Sequence, residues 1–288
     1  MNTFRPEVRL LLECARTRLD AQGASRIKSL VSNDIEWTYL IRMARGHGVM
    51  PLVCRTLNSA CSDAVPKATL EKLREHYYAN AGRNLYLTKE LLKVVELLKT
   101  HRISPIPYKG PVLAASIYGN LALREFGDLD ILVRAREYQT AQHLLSAQGY
   151  RLMKEFDWES TFVHDSGTFA VDLHKGMAAQ DFSSPLDFEY LSGRLQRITV
   201  AGTEVPTLSP GDTMLMLAIQ ITKDSGSRYF QLAKICDTAE ILHAYPRLDV
   251  AHVLRQARKL GGERMLLYSL RLANNLLARR RTSARNCL

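Results

Sequence analysis

The sequence predicts an α+β fold, in which a mixed β-sheet core with helices is flanked by N- and C-terminal helical regions. Up to about residue 100, apolar residues recur with the 3.6-residue period of a helix. A proline-rich break and several short alternating segments follow, and helical periodicity returns after residue 208. We therefore predict a helical region at 1–100, an α+β core at 101–208 and a helical region at 209–288.

The first hundred residues contain no strand-like alternation. Trp37 begins one amphipathic helix, and Pro66 opens a later one, because proline is well tolerated in the first turn of a helix. A single apolar stripe at helical spacing is formed by Leu87, Leu91, Val94, Val95 and Leu98. These patterns predict a helical region with one face packed against the rest of the protein.

The middle region alternates between helix and strand signals. A turn at Lys109-Gly110 precedes a predicted helix at 111–118, and a second helix is predicted at 137–147. The run at 128–133 alternates polar and apolar residues before becoming wholly apolar, as a strand entering a core does. Further strands are predicted at 162–164, 168–174, 195–200 and 204–208. The pattern is that of a mixed sheet with covering helices.

The C-terminal region restarts with a helix-capping pattern. Ser209 stands at the N-cap, Pro210 at the first helical position and Asp212 at the third. Helices are predicted from there to about residue 280, with breaks near 225–226, at Pro246 and at 261–262.

Composition narrows the class of protein. The chain has 288 residues, of which 46% are hydrophobic and 24% charged, the balance of a globular protein. No apolar run reaches the roughly 18 residues of a membrane span, and the N-terminus lacks the apolar core of a secretory signal. Five scattered cysteines without a C-x-x-C pair suit a reducing compartment. We therefore expect a cytoplasmic protein without a membrane partner.

Charge is concentrated at the C-terminal end. The formal net charge is +10, and residues 255–288 hold nine Lys or Arg against one acid, Glu263. Such a patch either attracts phosphate groups, nucleic acid or an acidic protein, or forms a solvated helix face with a frayed end. The sequence leaves both interpretations open.

Two carboxylates on one predicted strand form the densest chemical signal. Gly127 precedes Asp128 and Asp130, whose i and i+2 spacing places both side chains on one face of the strand. Such acids repel each other unless a cation lies between them, and hard divalent ions such as Mg²⁺ prefer oxygen ligands. A later strand carries Asp172 and His174 on one face. If the strands are neighbours, three acids converge in the outline of a two-metal phosphoryl-transfer site.

The Lys-Gly turn strengthens this interpretation. Lys109 supplies a charge and Gly110 an open backbone at a predicted helix start, where phosphate oxygens bind well, and Arg124 is placed to meet a second phosphate. The alternative is that the D-x-D motif is an ordinary polar strand face. P-loop, dinucleotide-binding, nucleophile-elbow and H-E-x-x-H patterns are absent from the sequence.

These motifs together resemble a known family. Lys109-Gly110, Leu123-Arg124, the run Gly127 to Val133, Gly149-Tyr150 and Val171 to His174 are similar to the bacterial nucleotidyltransferase family 5. That family is a largely uncharacterised branch of the DNA polymerase β-like nucleotidyltransferase superfamily. The resemblance extends to the flanking helices at 37–57 and 209–242. It implies a polymerase β-like nucleotidyltransferase core.

The resemblance also implies roles for individual residues. Asp128, Asp130 and Asp172 would be the catalytic and metal-ligating acids, holding two Mg²⁺ ions, with Mn²⁺ as an alternative. Gly110 would match the glycine of the superfamily's Gly-Ser turn, with Lys109 supplying a charge in place of the serine. The residues implied to bind nucleotide are Lys109, Gly110, Arg124, Gly127, His174, Lys223 and Lys234, with Arg228 a further candidate. Asp237 is expected to pair locally on its helix.

The implied reaction transfers a nucleoside monophosphate from a nucleoside triphosphate, ATP being favoured, to an acceptor hydroxyl with release of pyrophosphate. The acceptor would be a small molecule, a peptide or protein side chain, or an RNA end. Three alternatives stay open: a non-catalytic nucleotide or RNA binder that keeps the fold, a toxin-like enzyme acting on RNA or protein, and a helical scaffold with an incidental D-x-D. The oligomeric state is not predicted.

Overall fold

The order of helices and strands follows the predicted class in a computed structural model, which describes residues 4–165, 167, 169–177, 186–225 and 230–277. Helices come first, a mixed α+β region follows, and helices end the described chain. The α+β fold class is therefore confirmed. The proposed limits after residues 100 and 208 fall close to element ends, and the division into separate domains stays a prediction.

The N-terminal region is helical, as predicted. Its α-helices are α1 (Pro6–Cys14), α2 (Ala21–Val31), α3 (Trp37–Gly46), α4 (Met50–Cys61) and α5 (Lys67–Thr100). Pro66 is the N-cap of α5, and the predicted apolar stripe from Leu87 to Leu98 is buried along this helix. Asn84, also on α5, is fully buried and donates to the carbonyl oxygens of Leu121 and Arg124. The long helix thus holds the loop that leads into the central strand.

A five-stranded sheet lies at the centre. Its strands are β1 (Ile106–Pro107), β2 (Asp128–Leu132), β3 (Tyr150–Glu155), β4 (Glu159–His164) and β5 (Ala170–His174), in the spatial order β1-β2-β5-β4-β3. The strands β2 and β5 are parallel, and the other neighbours are antiparallel. Two small antiparallel pairs follow, β6 (Gly176–Met177) with β7 (Leu186–Asp187), and β8 (Gln196–Val200) with β9 (Thr203–Thr207).

Several parts of this region differ from the sequence prediction, and the short strands β6 and β7 were among the elements not predicted. Strand β3 was not predicted, because after Tyr150 its side chains are all exposed at the edge of the sheet and give no alternating pattern. The helix predicted at 111–118 is α6 (Gly110–Leu113) followed by a π-helical turn at Ala114–Tyr118. The second predicted helix is α7 (Tyr138–Ala147), preceded by a 3₁₀ turn.

The two faces of the sheet differ in chemistry. Leu129, Ile131 and Leu173 point to one face, where they are buried in a core with residues of α5 and α7. Asp130 and Asp172, at alternate positions on the same strands, point to the opposite face. The apolar face therefore anchors the sheet and leaves the other face to carry polar chemistry.

The C-terminal helices complete the fold. They are α8 (Phe188–Ser192), α9 (Pro210–Asp224), α10 (Leu232–Ala244), α11 (Val250–Lys259) and α12 (Glu263–Leu277). The predicted cap is confirmed, since the Ser209 side chain accepts a hydrogen bond from the Asp212 amide. N- and C-terminal helices share one hydrophobic core, which includes Leu10, Leu215 and Leu266. No helix in the described ranges has the length and apolar character needed to cross a bilayer.

Candidate active site

The central carboxylates lie on adjacent parallel strands. Asp130 and Asp172 are directly opposite each other in the register of β2 and β5, which satisfies the condition set for the two strands in the sequence analysis. Asp128 lies two residues before Asp130 on the same face, at the exposed start of β2. Asp130 is 2% exposed, whereas Asp172 is half-buried. Asp128 is thus exposed to solvent, Asp172 is half-buried and Asp130 is buried in the interior.

The Lys-Gly turn is packed against the start of β2. Lys109 precedes α6, and its ammonium group binds Oδ1 of Asp130, while its Nζ lies 5.2 Å from the centre of the Tyr108 ring. Gly110 has a φ of +49°, and a Cβ there would lie 3.2 Å from the carbonyl oxygen of Asp128. A side chain at this position would therefore be strained and crowded.

His174 joins the acids to a residue that the sequence analysis did not identify. Its Nε2 lies 3.3 Å from Oδ1 of Asp130, and its Nδ1 lies 3.3 Å from Oε2 of Glu159. The Tyr108 ring packs edge-on against the imidazole. Glu159 lies opposite His174 in the register of β4 and β5, but β4 was predicted to begin only at residue 162. A correct strand start would have placed Glu159 at the site.

The carboxylates differ in proton affinity. Burial alone would raise the pKa of Asp130, but the Lys109 ammonium that binds its carboxylate and the neighbouring His174 outweigh burial and lower that pKa. The neighbouring carboxylate of Asp130, together with burial, raises the pKa of Asp128. Burial opposes the charge on Lys109, yet Asp130 and Asp128 raise its pKa overall. The negative charges of Asp128 and Asp130 therefore repel each other at the exposed end of the site.

Among the described residues, two buried oxygens at the site have no hydrogen-bond partner. They are Oδ2 of Asp130 and Oδ1 of Asp172. Unpaired carboxylate oxygens are costly to bury, and they are the ligands that hard divalent cations prefer. The residues thus fit such a cation. Across the described ranges, however, no three Asp, Glu, His or Cys side chains are arranged as a ready metal cage, so the convergence of three acids on a metal stays a prediction.

Arg124 forms an ion pair with Asp237 of the C-terminal helices. Its Nε and Nη2 donate to both carboxylate oxygens of Asp237 on α10, at 3.0–3.2 Å, and Tyr118 donates to the same carboxylate at 2.7 Å. The expectation of a local partner for Asp237 is wrong, because Arg124 lies 113 residues away in sequence. A phosphate contact by Arg124, as predicted, would require breaking this buried ion pair.

The remaining predicted residues are dispersed. Lys234 binds Asp224, the last residue of α9, and Lys223 is exposed near the end of the same helix. Gly127 is exposed directly before β2, where an added Cβ would meet no atom within 4 Å. Arg228 and the basic segment after residue 277 lie outside the described residues. The structure therefore brings together Lys109, Gly110, Asp128, Asp130, Asp172 and His174.

Opposed carboxylates on adjacent strands beside a Lys-Gly turn, on the polar face of a mixed sheet, are the arrangement expected for a nucleotidyltransferase. The chain belongs to the family described as uncharacterised nucleotidyltransferase, whose family model matches residues 33–278. The match covers the helices on both sides as well as the sheet, and it confirms the resemblance inferred from the motifs. The protein is thus an enzyme of the nucleotidyltransferase class.

Several solved structures align with parts of the chain. The lincosamide antibiotic adenylyltransferase LnuA, solved with lincomycin bound, is 18% identical over 44% of this chain and 83% of its own, with a TM-score of 0.36. The antibiotic-resistance factor ANT(2'')-Ia is 12% identical over 67% of this chain and 98% of its own, with a TM-score of 0.46.

An antigenic nucleotidyltransferase-like protein from Paracoccidioides brasiliensis is 14% identical over 68% of this chain and 96% of its own, with a TM-score of 0.37. At these identities and TM-scores, no substrate carries over from these proteins to this chain. No curated protein matches the chain significantly.

Proposed function

We propose that the protein is a Mg²⁺-dependent enzyme that transfers a nucleoside monophosphate from a nucleoside triphosphate, ATP being favoured, to an acceptor hydroxyl and releases pyrophosphate. The observation that carries this proposal is the pair of unpaired buried oxygens, Oδ2 of Asp130 and Oδ1 of Asp172, on directly opposed strand positions. Their geometry supports the binding of a hard cation beside the Lys-Gly turn.

Each acid has a separate part in this proposal. Asp128, Asp130 and Asp172 would hold Mg²⁺ or Mn²⁺, which when bound neutralises the charge of the triphosphate. Asp172 is less buried than Asp130, the acid opposite it. It would accept the proton of the acceptor hydroxyl. His174, fixed between Glu159 and Asp130, orients the Asp130 carboxylate.

The nucleotide would lie on the side of the sheet nearest the Lys-Gly turn. The backbone at Gly110 and Gly127 and the Lys109 side chain are proposed phosphate contacts, and Lys223 and Lys234 are proposed to approach from the C-terminal helices. The acceptor would then approach over β4, where half-buried Thr161 lies opposite Asp172 in the strand register. This open side suits a small molecule or a peptide or protein side chain.

We also place the enzyme in the cytoplasm. The support is that Cys14, Cys54, Cys61 and Cys236 are free thiols in the structure, as expected where disulfides are kept reduced.

The test is a titration of the protein with ATP, GTP, CTP and UTP, with and without Mg²⁺. We expect Mg²⁺-dependent binding of one nucleotide, lost when Asp128→Asn and Asp130→Asn are combined. Asp165→Asn is the matched control, because Asp165 is an exposed acid on the turn after β4. Failure of the wild-type protein to bind any of the four would overturn the proposal.

A non-catalytic nucleotide binder is the second candidate. The observation in its favour is that the Lys109 ammonium already binds Oδ1 of Asp130. In addition, no three potential metal ligands are grouped together among the described side chains. The two candidates differ in turnover, since the enzyme releases pyrophosphate from the bound nucleotide and a binder does not. An assay of pyrophosphate release with an acceptor mixture, including RNA and cell protein, separates them and also covers a toxin-like action on macromolecules.

A further inference from the structure

The two oxygens of Asp130 have different surroundings. Oδ1 contacts the ammonium of Lys109 and lies 3.3 Å from Nε2 of His174. Oδ2 is buried and has no hydrogen-bond partner. A carboxylate that bridges two metal ions uses both of its oxygens, one for each ion. In this structure only one oxygen of Asp130 is available to a metal.

The charge of Lys109 acts in the same direction. Asp128, Asp130 and Asp172 contribute three negative charges, and Lys109 contributes one positive charge. Lys109 therefore cancels one of these negative charges without a metal ion, while Glu159 beside His174 adds a further acid to the site. Without Lys109, the excess charge would be larger, and a second cation would be favoured.

Lys109 is held in this position by its surroundings. Its side chain is 19% exposed and lies over the ring of Tyr108, which is itself buried. The preceding strand β1 is held in place, because it pairs with β2 and the carbonyl of Pro107 accepts a hydrogen bond from Thr207. The surrounding residues therefore hold the Lys109 ammonium next to Asp130.

We infer that Lys109 takes the place of one metal ion, so that the site binds a single divalent cation through Oδ2 of Asp130 and Oδ1 of Asp172, with Asp128 at its exposed side. This inference rests on the proposed function and replaces the two ions expected from the sequence.

The experiment uses Mn²⁺ as the probe, together with the non-hydrolysable donor α,β-methylene-ATP. Bound Mn²⁺ per polypeptide is counted by equilibrium dialysis, and its electron paramagnetic resonance spectrum is recorded. Two ions at the usual separation of about 3.5–4 Å are spin-coupled, whereas one ion gives the six-line spectrum of an isolated centre. We expect one ion and the isolated spectrum. Two coupled ions in the wild-type protein would overturn the inference.

Lys109→Met tests the cause. Because the charge is removed at similar side-chain size, we expect a second Mn²⁺ and a coupled spectrum. Lys109→Arg keeps the charge and should retain one ion, and Lys93→Met removes an exposed lysine paired with Glu90 on α5, so it should also leave one ion. An unchanged count in folded Lys109→Met would refute the inference.

Failure of the proposed function and failure of the single-cation inference give different experimental results. No Mn²⁺ retained by the wild-type protein with the donor would contradict the proposed function itself. If Lys109→Met does not fold by circular dichroism, the wild-type spectrum and the Lys109→Arg count still decide the inference.

Discussion

Asp130 and Asp172 lie directly opposite each other on parallel strands, and each has one buried oxygen without a hydrogen-bond partner in the part of the chain that the structure describes. The strand order makes this possible, because β5 inserts between β2 and β4 and thereby brings a later segment of the chain next to the D-x-D motif.

Asp172→Asn should abolish turnover while leaving the fold intact. Asparagine keeps the shape but removes the negative charge and the proton acceptor, so we expect pyrophosphate release to fall by about 100-fold or more, the scale of losing one electrostatic contact at an active site. Because a repulsive charge is removed, the free energy of unfolding should not decrease. Asp165→Asn should release pyrophosphate at the wild-type rate. Equal rates for the two variants would contradict the role of Asp172.

The Arg124–Asp237 ion pair should contribute to stability. The side chain of Asp237 is fully buried, and that of Arg124 is 13% exposed. Arg124→Met leaves the carboxylate buried with only Tyr118 as donor, so we expect the free energy of unfolding to drop by about 3–5 kcal/mol in urea denaturation.

The double variant Arg124→Met with Asp237→Asn isolates the pair. Since Asp237→Asn removes the orphaned charge, the combined loss should be smaller than the sum of the single losses by about 1–3 kcal/mol. Additive losses would show that the pair is not coupled. A stable Arg124→Met protein that has lost nucleotide binding would instead favour the phosphate contact predicted from the sequence.

Two glycine-to-alanine changes should have opposite effects. Gly110→Ala places a side chain at a φ of +49° and against the carbonyl oxygen of Asp128, so we expect a loss of about 1–2 kcal/mol. Gly82 lies within α5, where a Cβ meets no atom within 4 Å, and Gly82→Ala should stabilise the protein by about 0.5–1 kcal/mol. Thermal unfolding of both variants checks the signs. A neutral Gly110→Ala would show that the Lys-Gly turn can relax.

Glu240 should give the protein part of its acid sensitivity. It is 2% exposed and accepts a hydrogen bond from the Thr17 amide at 2.8 Å, which ties α10 to the N-terminal helices. Burial would raise the pKa of Glu240, but His243 and Thr17 outweigh burial and lower it below the ordinary value of 4.5. A lowered pKa stabilises the folded state above pH 4.5, and this contribution is lost as the pH falls through the folded-state pKa.

Glu240→Gln measures this contribution. At neutral pH the variant should lose about 1–3 kcal/mol of unfolding free energy, and its difference from the wild-type protein should shrink as the pH falls below 4.5. Glu204→Gln, at an exposed glutamate on β9, is the control and should match the wild-type protein throughout. A difference that stays constant with pH would contradict the lowered pKa of Glu240.

Sequence periodicity predicted the helices well, since a stripe such as Leu87 to Leu98 and a cap such as Ser209 depend on neighbouring residues only. The strands that carry Asp128, Asp130 and Asp172 were also found, because these acids alternate with apolar residues, whereas the strand that carries Glu159 was predicted to begin too late. Strand β3 escaped prediction, since an exposed edge strand buries almost no apolar surface and therefore has no alternation to detect.

By itself, the sequence determined the α+β class, the acids Asp128, Asp130 and Asp172, and the Lys-Gly turn, because local spacing and residue chemistry are enough to specify them. Tertiary structure alone decided what each of these side chains faces. It brought Glu159 next to His174 and paired Arg124 with Asp237. It also brought the Lys109 ammonium into contact with one oxygen of Asp130. Such pairings follow from strand register and helix packing between segments far apart in the chain, and no local pattern records them.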